Sequence, residues 1–253
     1  MKFFIPLCSV LLAGSASIAQ AEETKIDNGT NPTVFSNSFV ATFEHLDLSP
    51  SGNSNSLKLT LSYPLGANSD WTIKFKVPVQ SVDVLGNNGY ALGDASITIG
   101  HVFGLTKKQG FAVLGEMIFD TADRPELGTG KNVFKGTYSY VRFLEGGAIF
   151  APTLVQSNSF SGDSNRAKVN TSTIDFYYVP QMANPKNLIT IDPSINKDWE
   201  SNKEFLGLAV TYGRVLGKAF GGNAIVTVKP SVSMGSDRPN TWGVELGYKV
   251  IGF

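Results

Sequence analysis

The chain has 253 residues with 21 basic and 21 acidic side chains, so no excess of positive charge points to nucleic acid. Charged residues make up 17%, against about 25% in ordinary soluble domains, and 26 glycines with 11% aromatics disfavour a helical protein. The single cysteine, Cys8, leaves no disulfide and no cysteine metal site to consider.

Met1 to Ala21 carries Lys2, then an apolar run from Phe3 to Gly14, then Ala19-Gln20-Ala21 before Glu22. A basic start, a short apolar core and a small-x-small triplet are the pattern of a cleaved export signal, and the run is too short for a membrane anchor. Residues 22–38, with Asp27-Asn28-Gly29-Thr30-Asn31-Pro32, are expected to form a mobile periplasmic lead-in, and 39–253 a single domain. No run of 18 apolar residues follows, which excludes a membrane protein built of helices.

Alternation takes over from there. After a weak segment at 39–47, Leu57, Leu59, Leu61 and Tyr63 share one parity against Lys58, Thr60 and Ser62. Trp71, Ile73, Phe75, Val77 and Val79 oppose Thr72, Lys74 and Lys76, and Ile97 and Ile99 oppose Ser96 and Thr98. The same period of two recurs around 111–119, 134–140, 148–157, 174–178, 187–192, 206–212, 224–233 and 242–250. This predicts about twelve strands, and an even number suits a closed antiparallel barrel with both ends on one side. Short links near 65–70, 105–110, 145–147, 182–187 and 216–222 alternate with longer ones at 49–55, 81–94, 120–132, 158–168, 193–203 and 235–240.

Alternation alone fits a soluble β-sandwich as well as a membrane barrel. The export pattern, low charge, alternating link lengths and aromatics near strand ends (Tyr63, Trp71, Phe119, Tyr140, Tyr178, Tyr212, Trp242, Tyr248) favour the barrel. The predicted fold is therefore all-β: a closed antiparallel transmembrane β-barrel of the bacterial outer-membrane type. Its lumen parity carries Glu44, Lys58, Lys74, Lys76, Glu116, Lys135, Asp175, Lys229, Glu245 and Lys249, with Tyr177 beside Asp175. Mixed charge in a narrow barrel is either a paired packing network or the lining of a solute path, and the two can coexist. Phe253 ends the chain on the parity of Lys249, which requires a bulge or a terminus beyond the sheet.

Two glycine motifs add a resemblance. Ala91-Leu92-Gly93-Asp94-Ala95 enters a strand, and Asp120-Thr121-Ala122-Asp123-Arg124-Pro125-Glu126-Leu127-Gly128-Thr129-Gly130 follows the next one; the last strand holds Gly247-Tyr248-Lys249-Val250. Across roughly 90–253 the chain resembles the MetA-pathway phenol-degradation family of exported barrels, with Phe119-Asp120-Thr121 where that family has Pro-Thr-Gly. The resemblance implies an outer-membrane location and uptake of hydrophobic or aromatic solutes.

Other chemistry finds little support. The only histidines, His45 and His101, are far apart and in no zinc motif; Gly-x-Ser-x-Gly is absent. Gly128-Thr129-Gly130-Lys131 lacks the spacing of a phosphate loop. Asp120, Asp123, Glu126, Asp163 and Asp192 read as solvated loop residues. The expectation is a monomeric, non-enzymatic channel or transporter for small solutes in the outer membrane, without cofactor. Its partners are membrane lipid, the barrel assembly machinery and the solute. The alternative is a barrel with a plugged lumen that acts through surface binding or in envelope structure.

Overall fold

The structure, a computed structural model, describes residues 28–83 and 89–253; the expected export segment, 1–21, lies outside the described residues. The strands are β1 (Ser38–Leu48), β2 (Asn53–Leu65), β3 (Trp71–Asp83), β4 (Ala91–Leu92), β5 (Ser96–Phe103), β6 (Gln109–Ile118), β7 (Lys131–Phe143), β8 (Ile149–Gly162), β9 (Asn170–Val179), β10 (Asn187–Asp198), β11 (Lys203–Ala219), β12 (Gly222–Met234) and β13 (Asn240–Ile251). Each pairs antiparallel with its neighbours, and β1 pairs with both β2 and β13, which closes the sheet on itself. The two-residue β4 only folds back onto β3, where Val79 faces Leu92. The wall is thus a barrel of about twelve strands, the number the alternation predicts. β2, β3, β7 and β12 have 13 residues each, enough for a tilted strand to cross the hydrocarbon of a bilayer.

The surface is inverted relative to a soluble protein. Leu57, Ile99, Leu154 and Leu246 are exposed on the outside, whereas Ser56, Thr72, Ser96, Ser139 and Thr190 on the opposite parity are buried. A sandwich would bury the apolar parity. Here that parity coats the outside of a closed cylinder, which is the lipid-facing arrangement of a membrane barrel. Aromatic rings gather near the rims. His101 stacks on Trp71 at 4.2 Å and lies 5.9 Å from Phe103, and the row continues through Phe111 to Tyr140 with centroids 5.4 Å apart. Near the opposite rim His45 lies 5.2 Å from Trp242. Both histidines thus sit in aromatic surroundings on the outer face.

Two of the expected loops are partly strand. β8 runs to Gly162 and β10 to Asp198, so the connections shorten to 163–169 and 199–202. Pro193 interrupts the sequence pattern but not the sheet: it faces Leu208 on β11, and Ile189, Ile191 and Ile195 keep one parity on either side of it. The last tight turn closes on Asp198, whose carboxylate accepts from Ser201 Oγ at 2.6 Å and from the Glu200 N–H at 2.9 Å. The long connections are those between β3 and β5 and between β6 and β7. β13 stops at Ile251, so Phe253 lies beyond the sheet. The Gly252 N–H donates to Asn37 O and Asn37 Nδ2 donates to Phe253 O, each at 2.8 Å, which ties the residues after β13 to those before β1 at one rim.

Candidate functional site

The inward parity brings the sequence-predicted charges into one lumen. Lys58 Nζ lies 2.6 Å from Glu44 on the neighbouring strand. Glu116 on β6 is held from three sides: by Lys76 of β3 at 2.6 Å, by Lys135 of β7 at 3.0 Å and by the Ser96 hydroxyl at 2.6 Å. These five charged groups form paired networks. Lys229 and Glu245 face each other across β12 and β13, and Glu245 also faces Glu44 across β1. Lys74, two residues from Lys76 on the same inward face, extends toward the Phe35 ring, 5.9 Å from its centroid.

The opposite wall is acidic. Asp175 and Tyr177 of β9 and Asp192 of β10 line a cavity of about 270 Å³ with Thr153 and with Gly29, Thr30 and Pro32. Asp192 is the lumen residue that the sequence reading missed. The sequence pattern leaves it with the solvated acids at the end of the 187–192 segment, whereas β10 continues through Pro193 and the parity of Ile191 and Ile195 carries Asp192 inward.

Between these walls lies the N-terminal segment. Rather than hanging below the barrel as a mobile lead-in, the described part of it, 28–37, crosses the lumen. Tyr177 Oη donates to Thr30 O at 3.1 Å on the β9 side. A Cβ built on Gly110 of β6 would stand 3.2 Å from the Thr33 methyl, and one on Gly29 would stand 2.7 Å from the Ile251 side chain of β13. Gly29 itself has φ +69°, a backbone that favours glycine. Thr30 and Thr33 are buried, and each is held by an Asx turn: Asn28 Oδ1 accepts from the Thr30 N–H at 3.1 Å, and Asn31 Oδ1 from the Thr33 N–H at 3.0 Å. Contacts to β3, β6, β9 and β13 make the segment a plug spanning the lumen. Apolar inward clusters, Leu188/Val215/Ile225/Ile251 and Val141/Ile149/Ala151/Val179, pack the same end of the barrel.

The opposite mouth is narrowed by the connection between β6 and β7. The Asp94 carboxylate accepts from the N–H groups of Thr121 and Ala122 at 3.2 Å and of Thr129 at 2.9 Å. The two glycine motifs therefore meet: a Cβ on Gly128 would come within 2.6 Å of Asp94 Oδ1, so only glycine fits there. Arg166, from the next connection, donates to Pro125 O and Gly128 O at 2.7 Å. Gln80 on the inward face of β3 donates to Leu127 O, and Leu127 is fully buried. Asp94→Ala should free this loop, because bonds to a charged acceptor contribute about 1.5–3 kcal/mol each. A nitroxide at Asp120→Cys should show a narrowed line shape in the Asp94→Ala background. An unchanged spectrum would mean that the remaining contacts, those of Arg166 and Gln80 among them, hold the loop.

Among the described residues no group of three His, Cys, Asp or Glu side chains is placed to hold a metal ion. No protein-family model matches the sequence, and no curated protein matches it. Solved structures do match the fold. An outer-membrane channel from Pseudomonas putida F1 superposes with a TM-score of 0.64 at 13% identity, covering 86% of this chain and 96% of that one. The KdgM porin, solved in complex with disordered oligogalacturonate, superposes with a TM-score of 0.55 at 10% identity, covering 84% and 98%. By fold the chain is a closed antiparallel β-barrel typical of bacterial outer-membrane proteins, and these two structures share that fold.

Proposed function

We propose that the protein is a monomeric, non-enzymatic outer-membrane channel for small solutes, exported with residues 1–21 removed. The observation that carries this reading is the content of the lumen. Polar and charged side chains line cavities between the plug and the wall, where a purely structural barrel would be served by a continuous apolar core. Hydrophobic or aromatic solutes are the class that the phenol-degradation resemblance implies. The plug at 28–36 makes the channel a closed one that opens when the segment moves aside.

A second reading has its own support. The two apolar clusters pack the plugged end of the lumen, as suits a barrel that never opens and acts through its outer surface. Planar-bilayer recording of the chain from Glu22 onward separates the two, with heat-modifiable gel mobility as the control for folding. Discrete current steps are expected for the channel, whereas lasting silence from folded, inserted protein supports the second reading. If steps appear, Lys74→Ala with Lys76→Ala should lower anion preference, because both lysines face the lumen. Unchanged selectivity would remove them from the path.

A further inference from the structure

We propose that the outer face of β8, β9 and β10 binds the sugar rings of an outer-leaflet glycolipid. The surface lies toward the rim that carries the long β3–β5 and β6–β7 connections, the outward side of such a barrel. It is outside the lumen, so the inference goes beyond the channel reading and does not depend on conduction.

The strands set the place. On β8 Leu154 and Phe160 are exposed while Thr153, of the other parity, lines the lumen, so Gln156 and Asn158 face outward. On β9 Ile174 and Phe176 are exposed and Asp175 and Tyr177 are inward, which puts Asn170 and Ser172 outside. Gln156 pairs with Ser172 and Asn158 with Asn170, and the four form one polar patch. The apolar outer face ends early here. It covers 150–154 on β8 and 174–178 on β9, whereas β12 stays apolar across 226–234. A strand needs about 9–11 residues to cross the hydrocarbon, so the patch begins about halfway along a crossing. Lipid tails would leave its amides without partners, and a lipid that covers it must bring polar groups of its own.

The side chains are already arranged as a surface. Gln156 Nε2 donates to Asn158 Oδ1 at 3.0 Å and to Asn170 Oδ1 at 3.1 Å, and Ser172 Oγ donates to Gln156 Oε1. Trp199, in the turn after β10, is pinned twice: its N–H donates to Asn170 O at 2.9 Å and its Nε1 to Ser172 Oγ at 2.8 Å. The residue nevertheless keeps 57% of its exposure. Among the described residues the Asn170 amide nitrogen has no acceptor, and that of Asn158 donates only to Asn170, at 3.1 Å. A fixed indole beside open amides suits a sugar, whose C–H face packs on the ring while its hydroxyls bond to the amides.

Charge and position choose the ligand. Lys197 is held by Asn202 Oδ1 at 2.8 Å and by Glu204 at 3.5 Å. Asp198, Glu200 and Glu204 stand around that turn against Lys197 and Lys203, so a phosphate meets no excess of cations there. Leu154 and Ile174, on the same parity as the patch, continue it toward the middle of the bilayer and receive the acyl chains. The patch is thus continuous with the lipid-facing wall, which favours a glycolipid over a dissolved sugar.

The test is native mass spectrometry of the chain from Glu22 onward, folded in a detergent without sugar, with rough-type lipopolysaccharide as the probe. Phosphatidylglycerol serves as a lipid with phosphate and no sugar, and the released core oligosaccharide as sugar without acyl chains. Heat-modifiable mobility verifies folding of each variant. One lipopolysaccharide should bind per chain, at least about tenfold more tightly than phosphatidylglycerol. Trp199→Ala should weaken it about tenfold, as should Asn158→Ala combined with Asn170→Ala, the scale of one ring contact or a pair of amide bonds. Trp199→Phe should lose less, because it keeps a ring and loses only the bond to Ser172. Trp242→Ala, three strands further round the wall, should change nothing. Folded protein that holds no lipopolysaccharide, or phosphatidylglycerol held as tightly, would overturn the proposal. Equal weakening by Trp242→Ala would reduce the effect to a general aromatic girdle. Core oligosaccharide bound as tightly as the intact lipid would put the ligand in solution and sink the glycolipid assignment. A silent barrel that passes these tests keeps this inference and loses the channel; a conducting barrel that fails them does the reverse.

Discussion

Deleting residues 28–36 should turn an intermittently conducting or silent barrel into one with steady current. A closed barrel of about twelve strands has a backbone diameter of roughly 20–25 Å, and inward side chains take up much of that width. The plug then occupies the space that remains, touching β9 through Tyr177 and Thr30, β6 through Thr33 and β3 through Phe35. Its removal costs the barrel little, because wall closure depends on the ladders from β1 to β13 and not on the segment. The variant should therefore keep its heat-modifiable mobility while its single-channel conductance rises severalfold. Tyr177, freed of its partner, would then face water. Conductance equal to that of the intact chain would locate the barrier elsewhere, in the cluster of Leu188, Val215, Ile225 and Ile251 that the deletion leaves in place.

The sequence carries the wall far better than it carries the contents. Period-two alternation is dictated by the geometry of a strand with lipid on one side, so every barrel strand appears in it, including the weak segments at 39–47 and 187–192. The lumen charges follow from the same parity, which is why Glu44, Lys58, Lys76, Glu116 and Lys135 are found facing one another. Asp192 escapes because a proline in a strand is commonly a boundary, and at 193 it is not. The plug escapes for a deeper reason. Asn28-Gly29-Thr30-Asn31-Pro32 has the composition of a solvated turn, and a polar lumen accepts Asx turns as readily as water does. Polarity marks burial in an apolar core but leaves no mark for burial in a polar one. The glycine motifs show the converse: Gly93-Asp94 and Gly128-x-Gly130 stand out in the chain, yet only the fold reveals that Asp94 caps the loop on which Gly128 sits.

Glu116→Ala should be the most destabilising single change in the lumen wall. It leaves Lys76 and Lys135 facing each other without the anion that now lies 2.6 and 3.0 Å from them, and it takes the acceptor from the buried Ser96 hydroxyl. Breaking a fully buried pair costs about 3–5 kcal/mol. Here the lysine side chains retain 33% and 35% of their exposure, so water in the lumen screens part of the repulsion. A loss of about 1–3 kcal/mol is the expected scale, read as a lower denaturant midpoint for the barrel in lipid vesicles. Glu116→Gln should lose less, since its amide oxygen can still accept from Ser96. The informative variant is the double one. If the damage is unpaired charge, Lys76→Met in the Glu116→Ala background should restore part of the midpoint, and the double-mutant cycle should give a coupling above about 0.5 kcal/mol. If Glu116→Ala leaves the midpoint unchanged, the three charges are lining rather than packing. The same variant should then show its effect in selectivity, as a lumen with one carboxylate fewer passes anions in preference to cations.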